Sequence, residues 1–513
     1  MTTITALIFA AACYGVATML APDTEGRADI IIIDAVAAFG DLERSGVIFY
    51  HSRHTQALEK SGKDCSACHQ TMDGRLSPKF MRVEDISRSM VMDTYHDNCI
   101  SCHQDTLDAG EKSGPVTCGE CHIRESAPMS TRRPMGLDKS LHYRHAKALD
   151  NKCEQCHHEY DEGAKKLFYA EGKEGACLYC HRTTAEENRI SLKDASHQDC
   201  IGCHLERTAK NLDAGPVTCL GCHDPAEQKI IEKADNLPRL KRKQPDAVLL
   251  RAASAGDGGL QSRMDAVAFN HKAHEAYNDS CKVCHHAELM DCRSCHTQTG
   301  SEKGNHIKLE RAMHQTGVDT SCIGCHTREQ QAIECAGCHS AIVKSPPQQQ
   351  AYCKTCHATP STAVTAAGNP AQVETARIAQ QQLDSRKPMY GTYADADIPD
   401  IVIIGQLVSQ YEAVELPHRK IVTTLVRNLE NSKLAAYFHA DPGTVCQGCH
   451  HNSPPAEKPP LCASCHGVPF DEKNPSKPGL SGAYHQQCMN CHDRMGIVKP
   501  DSRDCESCHK EKK

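Results

Sequence analysis

The sequence predicts a loop-rich chain of four tandem units, mainly short α-helices with few short strands, each wrapped around something other than its own side chains. Three observations predict it. Only 39% of the 513 residues are apolar and 4% are aromatic, with 8 Phe and no Trp. That is too little to build the three or so side-chain cores a chain of this length would need. Of the 33 Cys, all but Cys13 fall into sixteen copies of C-x-x-C-H. The copies then divide by spacing into groups of three, four, five and four. Disorder would explain weak hydrophobicity but not so regular a cysteine pattern. A disulfide scaffold gives no reason for a His after every pair.

The first group holds Cys65-Cys68-His69, Cys99-Cys102-His103 and Cys118-Cys121-His122. The second holds Cys153-Cys156-His157, Cys177-Cys180-His181, Cys200-Cys203-His204 and Cys219-Cys222-His223. In the third stand Cys281-Cys284-His285, Cys292-Cys295-His296, Cys322-Cys325-His326, Cys335-Cys338-His339 and Cys353-Cys356-His357. The last has Cys446-Cys449-His450, Cys462-Cys465-His466, Cys488-Cys491-His492 and Cys505-Cys508-His509. C-x-x-C-H is the attachment signal of c-type haem: two thiols for the thioether links, and the adjoining His as proximal iron ligand. A redox dithiol or half a zinc site also contains C-x-x-C, but neither calls for that His. Sixteen c-type haems, each a large flat apolar body, therefore replace the missing aromatic core. With about 32 residues per motif, little chain is left for anything but wrapping. Long helices and large sheets are not expected.

Sixteen further His lie outside the motifs: His51, His54, His96, His142, His145, His158, His197, His271, His274, His286, His306, His314, His418, His439, His451 and His485. They cluster beside the motifs and equal them in number, which favours sixth iron ligands over surface or core histidines. All except His418 are expected as distal ligands. Bis-His iron has no open position and lacks the Met ligand that raises potential, so such haems transfer electrons and do little else. The 14 Met show no comparable placement and read as gap-fillers.

The groups repeat one another. The second opens with His142-x-x-His145, and its first motif is followed at once by His158; His197 then precedes Cys200. The third has His271-x-x-His274, His286 and His314 in the same order. The first opens with His51-x-x-His54 and carries His96, with Gln70 in place of the doubled His and one motif fewer. Gly114-Pro115-Val116-Thr117-Cys118 recurs as Gly215-Pro216-Val217-Thr218-Cys219. Stacked repeats that bury a shared core are the expected result.

This pattern resembles the class III tetrahaem cytochromes c of sulfate-reducing bacteria, over roughly residues 29–513, and in particular the family's periplasmic sixteen-haem members. The resemblance implies ligand pairs. His51, His54 and His96 go to the haems at Cys65, Cys99 and Cys118. His142, His145, His158 and His197 go to those at Cys153, Cys200, Cys177 and Cys219. His271, His274, His286 and His314 go to those at Cys281, Cys322, Cys292 and Cys335. In the fourth group His439, His451 and His485 fall to Cys446, Cys462 and Cys505, and Pro442 stands where a second opening His is due. The haem at Cys353 is extra to the template, with His306 as its ligand. The haem at Cys488 is expected to be five-coordinate and high-spin, unless His418 folds back to it.

The expected organisation is a signal or anchor segment (1–28), a three-haem unit (29–123), a four-haem unit (124–223) and a linker (224–264). A four-haem unit with one extra haem (265–357), a haem-free insert (358–412) and a four-haem unit (413–513) follow. The apolar run Ile4 to Ala21 reads as export signal or uncleaved anchor, although the usual basic n-region is missing. Gly15-Val16-Ala17 offers a cleavage site, and Ala10-Ala11-Ala12-Cys13 a lipobox-like alternative. Arg239-Leu240-Lys241-Arg242-Lys243 in the linker reads as a solvated face. The insert reads as a packing element, with Ile421, Val422, Leu425, Val426 and Leu429 following at helical spacing.

Formal net charge is −7, to which propionates add, so the surface should steer basic partners; nucleic-acid binding has no support. The expected function is periplasmic electron transfer without catalytic turnover. The resemblance implies a basic tetrahaem cytochrome c and periplasmic hydrogenase as donors, and a transmembrane redox complex as acceptor. A multihaem reductase of the nitrite type would show a C-x-x-C-K motif, and none of the sixteen departs from His. An extracellular haem filament would need an outer-membrane anchor or self-association surface, and neither is evident.

Overall fold

The computed structural model describes residues 27–512 except 73, 124–129, 252–263, 341–349, 359–371, 387–391, 408–409, 431, 440, 468–471 and 474–476. The apolar run and Cys13 lie outside the described residues. The chain divides into two compact units between Pro238 and Arg239.

Every described sheet is a two-stranded antiparallel ribbon. In the first unit β1 (Ile30–Ile33) pairs with β2 (Val47–Tyr50), Ile30 facing Tyr50 and Ile33 facing Val47. The chain leaves β2 directly into the helix His51–Lys60. Asp29 fixes this junction: it is fully buried, accepts from Arg27 Nε at 2.8 Å and Nη2 at 3.1 Å, and takes the Ser52 amide at 3.1 Å. Burial alone would raise its pKa, but the hydrogen bonds from Arg27 and Ser52, with the Arg27 charge, hold it below the usual carboxylate value. The hairpins β3 (His69–Met72) with β4 (Arg75–Phe80) and β5 (Glu159–Asp161) with β6 (Lys166–Phe168) follow.

The helix Arg88–Asp108 spans 21 residues, longer than the wrapping argument allows for. Ser87 caps it by accepting from the Met90 amide. Its length carries His96 and the whole motif Cys99 to His103 on one rigid element. The helix Leu480–Arg494 does the same for His485 and the motif Cys488 to His492.

In the second unit β7 (Val248–Leu250) pairs with β8 (Val267–Phe269). The helix Gln372–Ser385 covers them. Ala247, Leu249, Ala266, Ala268 and Ala379 form a small buried cluster, with Ile378 and Leu383 packed against it. The expected linker and insert thus supply a conventional side-chain core between them, with the edge of a haem unit. Further on, β9 (Val402–Ile404) pairs with β10 (Val414–Leu416), and β10 leads into the amphipathic helix His418–Glu430.

Candidate functional site

Each C-x-x-C-H motif is one helical turn. Some are isolated 3-10 turns, such as Cys65–Ala67, Cys153–Gln155 and Cys281–Val283; others open or sit inside α-helices, as at Cys118–Cys121 and Cys322–Glu329. In the Cys177 turn the amides of Cys180 and His181 bond the Cys177 carbonyl at 3.2 and 2.8 Å. Residues at i, i+3 and i+4 of such a turn share one face, so two thiols and an imidazole project together. The residue before the first Cys often caps the turn, as Asp291 does for Ser294 and Ser321 for Gly324. His197–Ile201 is π-helical and merges into the helix Gly202–Ala209, so an irregular turn sets His197 against Cys200.

None of the described cysteines is in a disulfide. Burial pushes the Cys449 thiol up to about 12, and those of Cys99, Cys200, Cys322, Cys338 and Cys488 to about 11. Redox-active C-x-x-C pairs are shifted the other way. Among the described residues no cluster of three or more His, Cys, Asp or Glu side chains could hold a metal ion.

The histidines carry the decisive geometry. A first-row metal binds an imidazole nitrogen at about 2 Å. Two imidazoles on opposite sides of one iron therefore have ring centres about 6 Å apart. Fifteen of the sixteen motif histidines face a second histidine ring at 5.9–6.4 Å. In the first unit the pairs are His51/His69, His54/His103, His96/His122, His142/His157, His145/His204, His158/His181 and His197/His223. In the second they are His271/His285, His274/His326, His286/His296, His314/His357, His439/His339, His418/His450, His451/His466 and His485/His509. The donor set and spacing fit bis-imidazole iron. Burial lowers the pKa of His51, His54, His326, His339 and His418. Burial thus favours the neutral imidazole, whose lone pair can bind a metal.

In many of these histidines the other ring nitrogen is held by backbone. His69 Nδ1 bonds the Ser77 carbonyl at 2.9 Å, His122 that of Ser45 at 2.7 Å, His357 that of Asp265 at 2.7 Å and His466 that of Pro478 at 2.8 Å. Such a bond makes Nδ1 the donor and leaves Nε2 to the metal. The repeated Gly-Pro-Val-Thr-Cys has this purpose. His103 and His204 bond the carbonyls of Pro115 and Pro216 at 2.8 and 2.9 Å. A Cβ on Gly114 or Gly215 would stand 2.4 Å from the Cε1 of the same imidazole.

Four placements differ from the expected ones. His314 faces His357 rather than His339, so the haem at Cys353 completes the third template and the one at Cys335 is the extra. His439 faces His339, not His450. His418 faces His450, so it serves neither Cys488 nor a mere rescue. His306 faces no histidine ring: it is exposed, in a left-handed turn with φ +58°, beside the Ile307 carbonyl that holds His296. Pro442 begins a 3-10 turn after His439, so no helical second position exists there. The missed signal was local order: His51, His271 and His418 each open a helix directly after a short strand. By that alignment Ile421 occupies the place of His54 and His274. His492 is the motif histidine with no facing imidazole; its Nδ1 bonds the Pro500 carbonyl at 3.2 Å.

Comparison with known proteins shows the family. The Class III cytochrome C family matches residues 32–122, 124–223, 247–357 and 419–513. The chain belongs to this family. Three of the four matches end on a motif His, at His122, His223 and His357, and the fourth runs to 513, past His509. The high-molecular-weight cytochrome c of Nitratidesulfovibrio vulgaris is 44% identical over 95% of this chain and 92% of its own. The crystal structure of the sixteen-haem cytochrome from Desulfovibrio gigas matches with TM-score 0.83 and 38% identity, covering 95% of this chain and all of that one. The high-molecular-weight cytochrome c of Desulfovibrio vulgaris (Miyazaki F) matches with TM-score 0.77 and 43% identity over 95% and 98%. This chain is accordingly a multihaem class III cytochrome with sixteen c-type haems and an electron-transfer function. Among the described residues no helix is long and apolar enough to cross a membrane.

Proposed function

We propose that the chain is a periplasmic electron conduit without catalytic turnover of its own. In this reading it takes electrons from a basic tetrahaem cytochrome c, itself reduced by periplasmic hydrogenase, and yields them to a transmembrane redox complex. The observation that carries it is the set of fifteen facing histidine pairs. Their imidazoles would hold each iron from both sides, leaving no open position for a substrate. The haems supply reversible one-electron storage and transfer. The protein's part is to orient the imidazoles, many of them through a backbone carbonyl. The formal charge of −7 supports a basic donor. Mixing the reduced donor with the purified protein in stopped flow tests the reading: the rate should fall steeply as ionic strength rises. Rates that stay flat or increase would refute an electrostatically steered donor.

His492 favours a second coordination state within the same function. With Ile421 in place of the second opening histidine, His492 alone would hold the haem at Cys488, leaving it five-coordinate and high-spin. The oxidised protein should show one high-spin signal in EPR, and the reduced protein should bind about one CO per chain. A wild type silent in both measurements would rule this out.

A further inference from the structure

Arg386 and Tyr437 meet in the second unit with polar atoms that are buried and unmatched. The guanidinium carbon of Arg386 lies 5.1 Å from the centre of the Tyr437 ring. Arg386 Nη2 and Tyr437 Oη are both shut off from solvent, and neither has a hydrogen-bond partner among the described residues. Each residue is placed by a formed helix. Arg386 follows directly on Gln372–Ser385, its amide bonding the Leu383 carbonyl at 3.1 Å, and Ala379 of that helix is buried in the cluster with β7 and β8. Tyr437 lies in the helix Lys433–Phe438, which Ser432 caps by accepting from the Ala435 amide at 3.2 Å.

Two other Arg–Tyr stacks in the chain show the usual company of such a pair. Arg82, 4.9 Å from the Tyr95 ring centre, donates through Nε to Asp85 at 2.7 Å. Arg27, 6.0 Å from that of Tyr50, donates to the buried Asp29 at 2.8 Å. In both, the stacked guanidinium holds a carboxylate of the chain. Arg386 has only the Cys356 thiol as an opposing charge, while burial lowers its pKa. A thioether link at Cys356 would remove even that charge, yet an arginine stays protonated in proteins. A buried cation and a buried hydroxyl without an acceptor are costly unless an anion joins them. A guanidinium fork beside a phenol O–H offers a set of donors suited to a carboxylate.

Haem brings such a group, because each porphyrin carries two propionates. Two haem sites border the pair. Cys356, whose charge reaches Arg386, belongs to the motif of the haem at Cys353. His439, two residues after Tyr437, faces His339 of the haem at Cys335. We propose that Arg386 and Tyr437 clamp a haem propionate, supplied by the haem at Cys335 or by the one at Cys353. The segment between the third and fourth matched repeats, which end at 357 and resume at 419, then has a redox role besides its packing one. A guanidinium beside the propionate offsets the negative charge that favours ferric iron, so the haem it serves is easier to reduce. That haem becomes a resting place for electrons within the second unit.

The test is a redox titration of the holoprotein, followed by visible absorbance, on wild type, Arg386→Leu, Arg386→Lys and Tyr437→Phe. In Arg386→Leu a share of the absorbance change equal to one haem in sixteen should move to lower potential. Arg386→Lys, which keeps the charge, should restore most of it, and Tyr437→Phe should move the same share by less. If Arg386→Leu does not accumulate with all its haems, Tyr437→Phe, which removes a single oxygen, carries the test. A packing role alone would lower the melting temperature and leave every potential in place, and that result would overturn the proposal. The source of the propionate is read under CO. His439→Ala opens the haem at Cys335 and His314→Ala the one at Cys353, and an opened haem held ferrous by CO leaves the titration. The shift caused by Arg386→Leu should vanish in one of these two backgrounds; its survival in both would place the anion elsewhere and overturn the clamp. So would a wild-type potential that moves with added acetate at constant ionic strength while that of Arg386→Leu does not, since the site would then take free anions.

Discussion

Gly215 shows how little room surrounds the iron ligands. A methyl group there would sit 2.4 Å from His204 Cε1, so Gly215→Ala must displace either the imidazole or the Pro216 carbonyl that orients it. Overpacking of this kind costs about 1–3 kcal/mol. The expected outcome is a lower melting temperature together with a changed EPR signature for a single haem, with Gly114→Ala acting likewise at His103. An alanine variant with wild-type stability and spectrum would mean the backbone can withdraw without cost. Ile421 is the complementary case, a position where a ligand is wanting. It is 37% exposed and lies three residues after His418 on one helix, as His54 follows His51 and His274 follows His271. Ile421→His should therefore convert the haem at Cys488 to low spin and abolish CO binding, whereas Pro442→His should change neither. A high-spin signal surviving in Ile421→His would show that the helix aligns differently.

The strand-to-helix junction is the element that sets the opening histidines, and Asp29 holds the first of them. Its carboxylate joins Arg27 to the Ser52 amide at the start of the helix bearing His51 and His54. Removing one partner of a buried charge pair typically costs about 3–5 kcal/mol, so Asp29→Asn should destabilise the first unit by up to that amount. The folded pKa is depressed below the ordinary 3.8. The carboxylate's contribution is therefore complete above that value and is lost as pH falls through the folded pKa. Acid melts should show wild type and Asp29→Asn converging well below pH 4, and a gap that widened there would reverse the sign.

Much at this scale was legible, because C-x-x-C-H states its own geometry: in a turn close to the α-helical period, positions i, i+3 and i+4 share a face. The opening His-x-x-His and doubled His motifs were likewise readable where intact. What failed was reading by count. The resemblance gives His314 to Cys335 and His439 to Cys446, but pairing follows space: His314 faces His357, and His439 faces a motif histidine, His339, from the group before it. His418 was missed because its neighbour is Ile421, which removed the His-x-x-His mark. The cue that remained, β10 running into a helix, exists only in the fold. His306 was counted as a ligand because the totals matched, yet its left-handed turn shapes the backbone around His296.

At the scale of the molecule, fully buried apolar side chains among the described residues are scarce and small. Many of them are alanines, and Ala247, Leu249, Ala266, Ala268 and Ala379 join in one apolar cluster. Paired ribbons of three to six residues and single turns cannot hold a chain of this length together by backbone bonds, since an isolated two-stranded hairpin is marginal in water. The sixteen haems must then act as the interior, and each thioether pair is a structural anchor as well as a redox site. Cys200 and Cys203 test this well, because their turn continues the π-helical segment carrying His197, which faces His223 on the neighbouring motif. Replacing both cysteines by alanine detaches one haem from its polypeptide. If the haem is core, the loss should be at least that of truncating a large buried aromatic, about 3–5 kcal/mol. It should also spread to the haem at Cys219 through His197, perturbing its spectrum. Calorimetric melting and EPR of the double variant distinguish the alternatives. A fifteen-haem protein with unchanged melting and fifteen unaltered haem signals would show that the polypeptide stands without its cofactors, and the low aromatic content would need another cause.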